Sequence, residues 1–204
     1  MLIIGIAGGT GSGKSTVVRK IVESLPPDEV MVIPQDNYYK DNSHIPLAQR
    51  LKMNYDEPAA IEWSLLEKHL RQLAGGKPVD MPTYDFLTCS RLQGTIRIEP
   101  REVVVVEGIL VLCDPGMRDL LDVKVFVDTD ADERLIRVIE RDCQERGRTS
   151  QMVIDRYRAI LKPMHELHIE PSKRYADIII PKGGSNTVAV KLLTDYIRSL
   201  IPSI

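Results

Sequence analysis

The chain has 204 residues, 43% hydrophobic and 27% charged, with 27 Lys and Arg against 29 Asp and Glu and a formal net charge of −2. That length suits one α/β core with a small insertion and is too short for two enzyme domains. The composition excludes a disordered chain, and the lack of a basic excess argues against a nucleic-acid partner, whose affinity is built from Lys and Arg contacts to phosphates.

Taken in chain order, Leu2–Ala7 is an apolar strand running straight into a glycine loop, and it is too short and too uncharged to read as a leader. A helix follows from Lys14 to Leu25, stopped by Pro26-Pro27. Val30–Ile33 is a second strand. Ser64–Leu73 places leucines at helical spacing and ends at Gly75-Gly76. Residues 77–99 have another texture: Pro78–Met81 and Thr95–Ile98 read as short strands flanking an irregular aromatic segment, Tyr84–Arg91, a hairpin insertion rising from the sheet edge. Val103–Val106 and Val123–Val127 are further buried strands. The helix from Asp130 to Arg146 begins behind Asp128 or Thr129, either of which can cap it. Ile178–Ile180 is the fifth core strand and Asn186–Leu200 the closing helix. Continuously apolar strands separated by helices mean a parallel sheet covered on both faces, a doubly wound α/β fold in a single domain, residues 1–204.

No apolar run approaches the roughly 20 residues that span a membrane. Cys89, Cys113 and Cys143 are odd in number and show no metal-ligand spacing, so they read as reduced thiols in a cytoplasmic protein. Cys113 and Cys143 are expected as small buried apolar residues. His44, His69, His165 and His168 form no nucleophile or metal constellation. His165 and His168 are three apart and read as lacking acidic or thiol companions. Trp63 and Tyr157 read as packing residues.

The sequence Gly8-Gly9-Thr10-Gly11-Ser12-Gly13-Lys14-Ser15 fits G-x-x-x-x-G-K-[ST] between a strand and a helix. Glycines let successive amides turn inward as an anion nest, and the helix N-terminus adds its positive end. Lys14 reaches the β- and γ-phosphates of a nucleoside triphosphate, Ser15 ligates Mg²⁺, and Thr16 extends the cradle. This is the P-loop of an NTPase fold. Two carboxylates narrow the chemistry. Glu107 follows the Val103–Val106 strand, where ligands of open α/β sheets bind, and is placed to hold Mg²⁺ with Ser15. Asp36, in Gln35-Asp36-Asn37-Tyr38-Tyr39, follows the second strand and is placed to accept the proton of an attacking hydroxyl; a turn aspartate is the alternative use. Arg134, Arg137 and Arg141 recur at helical spacing in a lid region, 134–157, suited to neutralising a transferred phosphoryl group. Glu133–Arg137 and Asp142–Arg146 are also favourable surface pairs one turn apart, and Arg134 reads as part of a solvated face.

These strings, together with Asn54-Tyr55-Asp56-Glu57-Pro58, Pro82–Phe86, Glu107–Leu110, Phe126–Asp132, Arg141-Asp142, Glu145–Arg148 and Lys173–Pro181, resemble the uridine–cytidine kinases across nearly the whole chain. That branch is also similar to phosphoribulokinase and pantothenate kinase. The resemblance implies ATP or GTP as donor, Mg²⁺, and transfer to the 5′-hydroxyl of uridine or cytidine in pyrimidine salvage, by a homotetramer. It implies Asp36 as general base beside Tyr39, Asp56 on the ribose hydroxyls, Tyr84 and Phe86 framing the base, and Arg148 on the nucleoside. Arg141 and Arg146 would belong to the lid, and Ser185, in Gly183–Asn186, would lie near the adenine. The chain departs from the family at three places. Cys89 stands where a base-binding histidine is usual, Arg156 where a glutamine is usual, and Val138 where a lid arginine is usual. All three lie on the acceptor or lid side, so the identity of the nucleobase stays open. So does a modified nucleoside, a sugar phosphate or pantothenate as acceptor, although an aromatic hairpin suits a planar base better than a polyol. A nucleotide-dependent switch would need a guanine-specifying Asn-Lys-x-Asp string, and none is present.

Overall fold

The computed structural model describes residues 1–201. Five strands form one parallel sheet: β1 (Leu2–Ala7), β2 (Val30–Pro34), β5 (Val103–Glu107), β6 (Val123–Asp128) and β7 (Ile178–Pro181), in the order β2-β5-β1-β6-β7. The two remaining strands, β3 (Val79–Asp85) and β4 (Ser90–Ile98), make a separate antiparallel hairpin.

Alternation along each strand divides the core. Ile3, Val104, Val106 and Phe126 face one side, against Leu66, Leu70 and Leu73 of helix α2 (Trp63–Ala74) and Met117 of α3 (Pro115–Leu120). Ile4, Ile6, Val103, Val105 and Val125 face the other, against Val17 and Ile21 of α1 (Lys14–Glu23) and Val190, Leu193 and Ile197 of α6 (Thr187–Leu200). Each fully buried branched side chain contributes about 1.5–3 kcal/mol, so a strand buried on both faces is held from both. Between β6 and β7 run the lid helix α4 (Ala131–Glu145) and α5 (Ser150–Arg156). The latter continues through two wide turns, Tyr157–Leu161 and His165–Ile169. These precede Pro163 and Pro171, whose missing N–H groups cannot close regular helical bonds.

Several expectations need correction. The hairpin strands are longer than the short stretches read from sequence, and the aromatic segment is not irregular. Tyr84 and Asp85 pair with Arg91 and Ser90, leaving only Phe86–Cys89 as the turn. A register shift between Pro82 and Tyr84 lets the proline sit where its lost donor is tolerated. Neither Asp128 nor Thr129 caps α4; its first residue follows Asp130, whose side chain makes no capping bond. Thr129 instead donates its hydroxyl to Ser12 O at 2.9 Å, tying the end of β6 to the glycine loop, and Asp128 pairs with Lys173 at 2.9 Å. Cys143 is exposed and Cys113 half-buried, while Cys89 is the buried thiol. No helix among the described residues is long and apolar enough to cross a membrane.

Candidate active site

Parallel pairing brings the C-terminal ends of β1, β5 and β2 side by side, with Glu107 opposite both Ile6 and Pro34. The loop Gly8–Gly13 leaves β1 there and turns into α1. Its glycines at positions 8, 11 and 13 have φ of 145°, 78° and 89°, conformations that an L side chain resists. Gly13 is also crowded: a Cβ there would come 3.2 Å from Gly184 N. Together they form an inward-facing backbone cradle at a helix N-terminus, the geometry that binds anions.

Lys14 is 7% exposed and donates to Gly8 O at 3.0 Å and Gly9 O at 3.1 Å. Burial lowers its pKa, and the neighbouring Glu107 and Asp36 oppose that shift. Ser15 Oγ lies 3.3 Å from Glu107 Oε2 and 3.5 Å from Oε1, so hydroxyl and carboxylate from two elements share one spot. Burial raises the Glu107 carboxyl, with Lys14 acting against it. Asp36 sits in the turn after β2. Removal from bulk water raises its pKa, and Lys14, a hydrogen bond from Tyr39 and the lid arginines partly restore the charged form.

All these groups open into one cavity of about 500 Å³. Its phosphate end is lined by Thr10, Gly11, Gly13, Lys14, Ser15 and Thr16, with Glu107 beside them. At the acceptor end stand Asp36, Asp56 and Cys89 with an aromatic group of Tyr39, Tyr55, Tyr84 and Phe86. The aromatic rings meet edge to face or tilted, with centroids 5.0–6.3 Å apart. Arg137, Arg141, Arg146, Arg148 and Arg156 close the roof. The sequence-derived candidates thus converge, with a few differences. Gly8, Gly9 and Ser12 shape the loop from beneath instead of lining the cavity. Ser185 is exposed, on a turn whose neighbour Gly184 accepts from Lys20 and packs on Thr16.

Four residues sit differently from what their local sequence signals. Asp142, read as half of a surface pair, is 2% exposed and gathers the lid: Arg141 lies at 2.8 Å, Arg146 at 3.5 Å, and Arg148 binds its second oxygen. Burial alone would raise its carboxyl, yet the arginines win and hold it below the ordinary aspartate value. Arg134 is not on a solvated face. It is 8% exposed behind the glycine loop, donates to Thr129 O at 3.0 Å, and packs against Gly9. His165 does have an acidic companion, Glu170 at 3.4 Å; burial, followed by Arg134, lowers its pKa to about 4, so the ring is neutral. Val138 occupies its position as packing: it is 2% exposed and contacts Val153 and Leu161, joining the lid helix to α5.

The lid also meets the hairpin directly, with the Arg146 guanidinium 4.8 Å from the Phe86 ring centre. Buried carboxylates, anion cradle and cationic roof therefore face one volume. Such an arrangement is able to align a hydroxyl with a terminal phosphate and to neutralise charge between them.

Comparison with known proteins agrees with this chemistry. The phosphoribulokinase / uridine kinase family matches residues 3–189. The chain is 52% identical over 199 residues to a uridine kinase of Macrococcus caseolyticus, covering 98% of this chain and 97% of that one. It is 51% identical over 200 residues to a uridine kinase of Alkaliphilus metalliredigens, covering 98% and 96%. Among solved structures, a phosphoribulokinase from Rhodobacter spheroides superposes with a TM-score of 0.68 at 18% identity, over 88% of this chain and 69% of that one. A possible uridine kinase from Bacillus stearothermophilus gives 0.55 at 21%, over 88% of each. At such identities these two speak for the fold alone. Family match and full-length relatives lead to one conclusion: the chain belongs to the phosphoribulokinase / uridine kinase family.

Proposed function

We propose that the protein transfers the terminal phosphoryl group of ATP or GTP to the 5′-hydroxyl of a pyrimidine nucleoside, uridine or cytidine, yielding the monophosphate for salvage. The observation that carries this reading is the placement of Asp36 and the four aromatic rings in the same cavity as the phosphate loop. The rings suit a planar base, and the full-length relatives named as uridine kinases point the same way.

In this reading Asp36 orients the hydroxyl and accepts its proton as the new O–P bond forms. The bond from the terminal phosphorus to the bridging oxygen breaks, and the nucleoside diphosphate leaves with that electron pair. Lys14 and the backbone amides of Gly11 and Gly13 hold the phosphates, while Arg141 and Arg146 meet charge on the transferred group. The juxtaposed Ser15 hydroxyl and Glu107 carboxylate would hold a magnesium ion, which supplies charge neutralisation to the phosphates when bound. Asp56, Tyr84, Phe86, Cys89, Arg148 and Arg156 form the acceptor side. The free thiols Cys89, Cys113 and Cys143 suit a cytoplasmic enzyme. A homo-oligomer, a tetramer by resemblance, would cover the exposed apolar stripe Val188, Leu192, Tyr196 and Leu200 of α6.

The test is a panel of nucleosides, sugar phosphates and pantothenate assayed with ATP and Mg²⁺ for ADP release. Turnover confined to pyrimidine nucleosides is expected. Preference for a sugar phosphate or pantothenate would refute the reading.

A further inference from the structure

Arg134 is a buried cation without an ion-pair partner, and it lies directly under the glycine loop. It comes from the start of α4 and is only 8% exposed. Its Nε–H donates to Thr129 O at 3.0 Å, and the Thr129 hydroxyl donates to Ser12 O at 2.9 Å. Its Nη1 lies against Gly9, 2.8 Å from where a Cβ on that glycine would stand. Its own carbonyl oxygen stands 2.5 Å from the Cβ position of Gly11. One residue therefore backs two glycines of the loop, the first through its side chain and the second through its backbone. Any side chain at Gly9 would push the guanidinium away from the loop.

No carboxylate among the described residues pairs with this guanidinium. Glu170 and Asp128 act on it only through space, and both are held by Lys173 at 2.9 Å. His165, which shares its small cavity, is neutral. Burying a guanidinium without a counter-ion is unfavourable, and burial pulls its pKa down. Its field nevertheless crosses the loop, because Arg134 is among the charges that act on Lys14 at the phosphate end of the main cavity. Phosphates seated in the nest bring the negative charge that the protein itself withholds. Little water stands between to screen the attraction.

We infer that Arg134 is a positioning residue for the phosphate donor: from beneath the glycine loop it fixes the backbone of Gly9 and Gly11 and holds a positive charge that the bound triphosphate neutralises without touching it. This rests on the reading of the loop as a nucleotide site. It adds a cation behind the loop to the roof arginines, which act from the cavity side. Such a charge strains the empty protein and favours the filled one.

The experiment compares the unsubstituted enzyme with Arg134→Gln and Arg134→Lys, by steady-state kinetics and by thermal unfolding with and without ATP and Mg²⁺. Glutamine removes the charge and keeps a donor for Thr129 O. In Arg134→Gln, KM for ATP is expected to rise about tenfold, while KM for uridine stays within about twofold and kcat within about threefold. The melting midpoint of the empty variant should lie no more than about 2 °C below the parent, or above it, because an unpaired buried charge has gone. The rise in midpoint on adding ATP should shrink. Arg134→Lys keeps the charge without the planar fork and should recover most of the affinity for ATP. A merely structural arginine gives the opposite pattern: an empty Arg134→Gln that melts several degrees lower, both KM values raised together, and no rescue by lysine. Any of these would overturn the inference while leaving the kinase reading intact. The melting comparison needs no acceptor, so it holds whichever hydroxyl the enzyme phosphorylates. An unsubstituted enzyme whose melting midpoint does not respond to ATP would overturn both.

Discussion

Replacing Asp142 by asparagine tests whether one buried carboxylate organises the lid. Asparagine keeps the shape and removes the charge, so Arg141, Arg146 and Arg148 lose their common counter-ion and repel one another. Deleting one partner of a fully buried ion pair costs about 3–5 kcal/mol. Here the arginine side chains keep 33%, 23% and 17% of their exposure, and water screens part of the interaction. A loss of about 2–4 kcal/mol is therefore expected. At roughly 2–4 °C per kcal/mol for a domain of this size, the melting midpoint should fall by roughly 5–15 °C. The pH dependence has a definite sign. The Asp142 pKa is depressed below the ordinary 3.8, so its stabilisation is present above that value and is lost as pH falls through the folded-state pKa. The gap between parent and variant should be full at neutral pH and close in acid. Thermal unfolding followed by circular dichroism across pH reads both. A midpoint within about 2 °C of the parent at neutral pH would refute the argument, as would a gap that widens in acid.

Three further substitutions probe the chemistry. Asp36→Asn should retain ATP binding and lower nucleoside phosphorylation by at least ~10², the low end for general acid–base catalysis; retained turnover would make Asp36 a turn residue. Lys14→Ala should reduce turnover of every acceptor in the same proportion if Lys14 works on the donor side, as proposed; a loss that varied with the nucleoside would contradict that assignment. Cys89→His places a ring that can donate or accept at the acceptor end of the cavity, at a residue with φ of 49°, a conformation histidine enters more readily than most side chains. It should raise kcat/KM for at least one of uridine and cytidine and leave KM for ATP unchanged, and unaltered nucleoside kinetics would place Cys89 outside base recognition.

The residues legible in sequence are those whose position is set by local order. The glycine loop is one, because spacing fixes both the backbone nest and the lysine. Glu107 and Asp36 are others, because a strand end fixes where they point. Unbroken apolar runs such as Val103–Val106 announce burial on both sheet faces, which the core confirms. What sequence left unread depends on contacts made far along the chain. Thr129 has the chemistry of a cap, yet its hydroxyl is taken by Ser12, 117 positions away. Asp142 and Arg146 form the pair one turn apart that spacing foresees, but only packing reveals that the carboxylate is buried and shared with Arg148. The paired β-structure of Tyr84–Arg91 was hidden by turn-forming and aromatic residues, and strand pairing, not propensity, decides it.

Three aspartates on the cavity wall show how environment divides labour among identical side chains. Asp36 and Asp56 are raised by burial, with cations near enough to moderate the shift but not to cancel it. Asp142 is depressed because three guanidiniums outweigh its burial. In the proposed reading the raised pair stands where substrate hydroxyls need acceptors of some basicity, while the depressed one is the counter-ion shared by the lid arginines. Titration from neutral pH should therefore silence the acceptor side first. Asp56, at about 6, loses its charge well before Asp142, whose stabilising charge survives to below the ordinary 3.8. At about pH 5 the enzyme should have lost most of its kcat/KM for uridine while its melting transition stays cooperative and close to the neutral value. Activity and fold lost together over one pH interval would mean that the three carboxylates titrate as a unit and that the division between them is wrong.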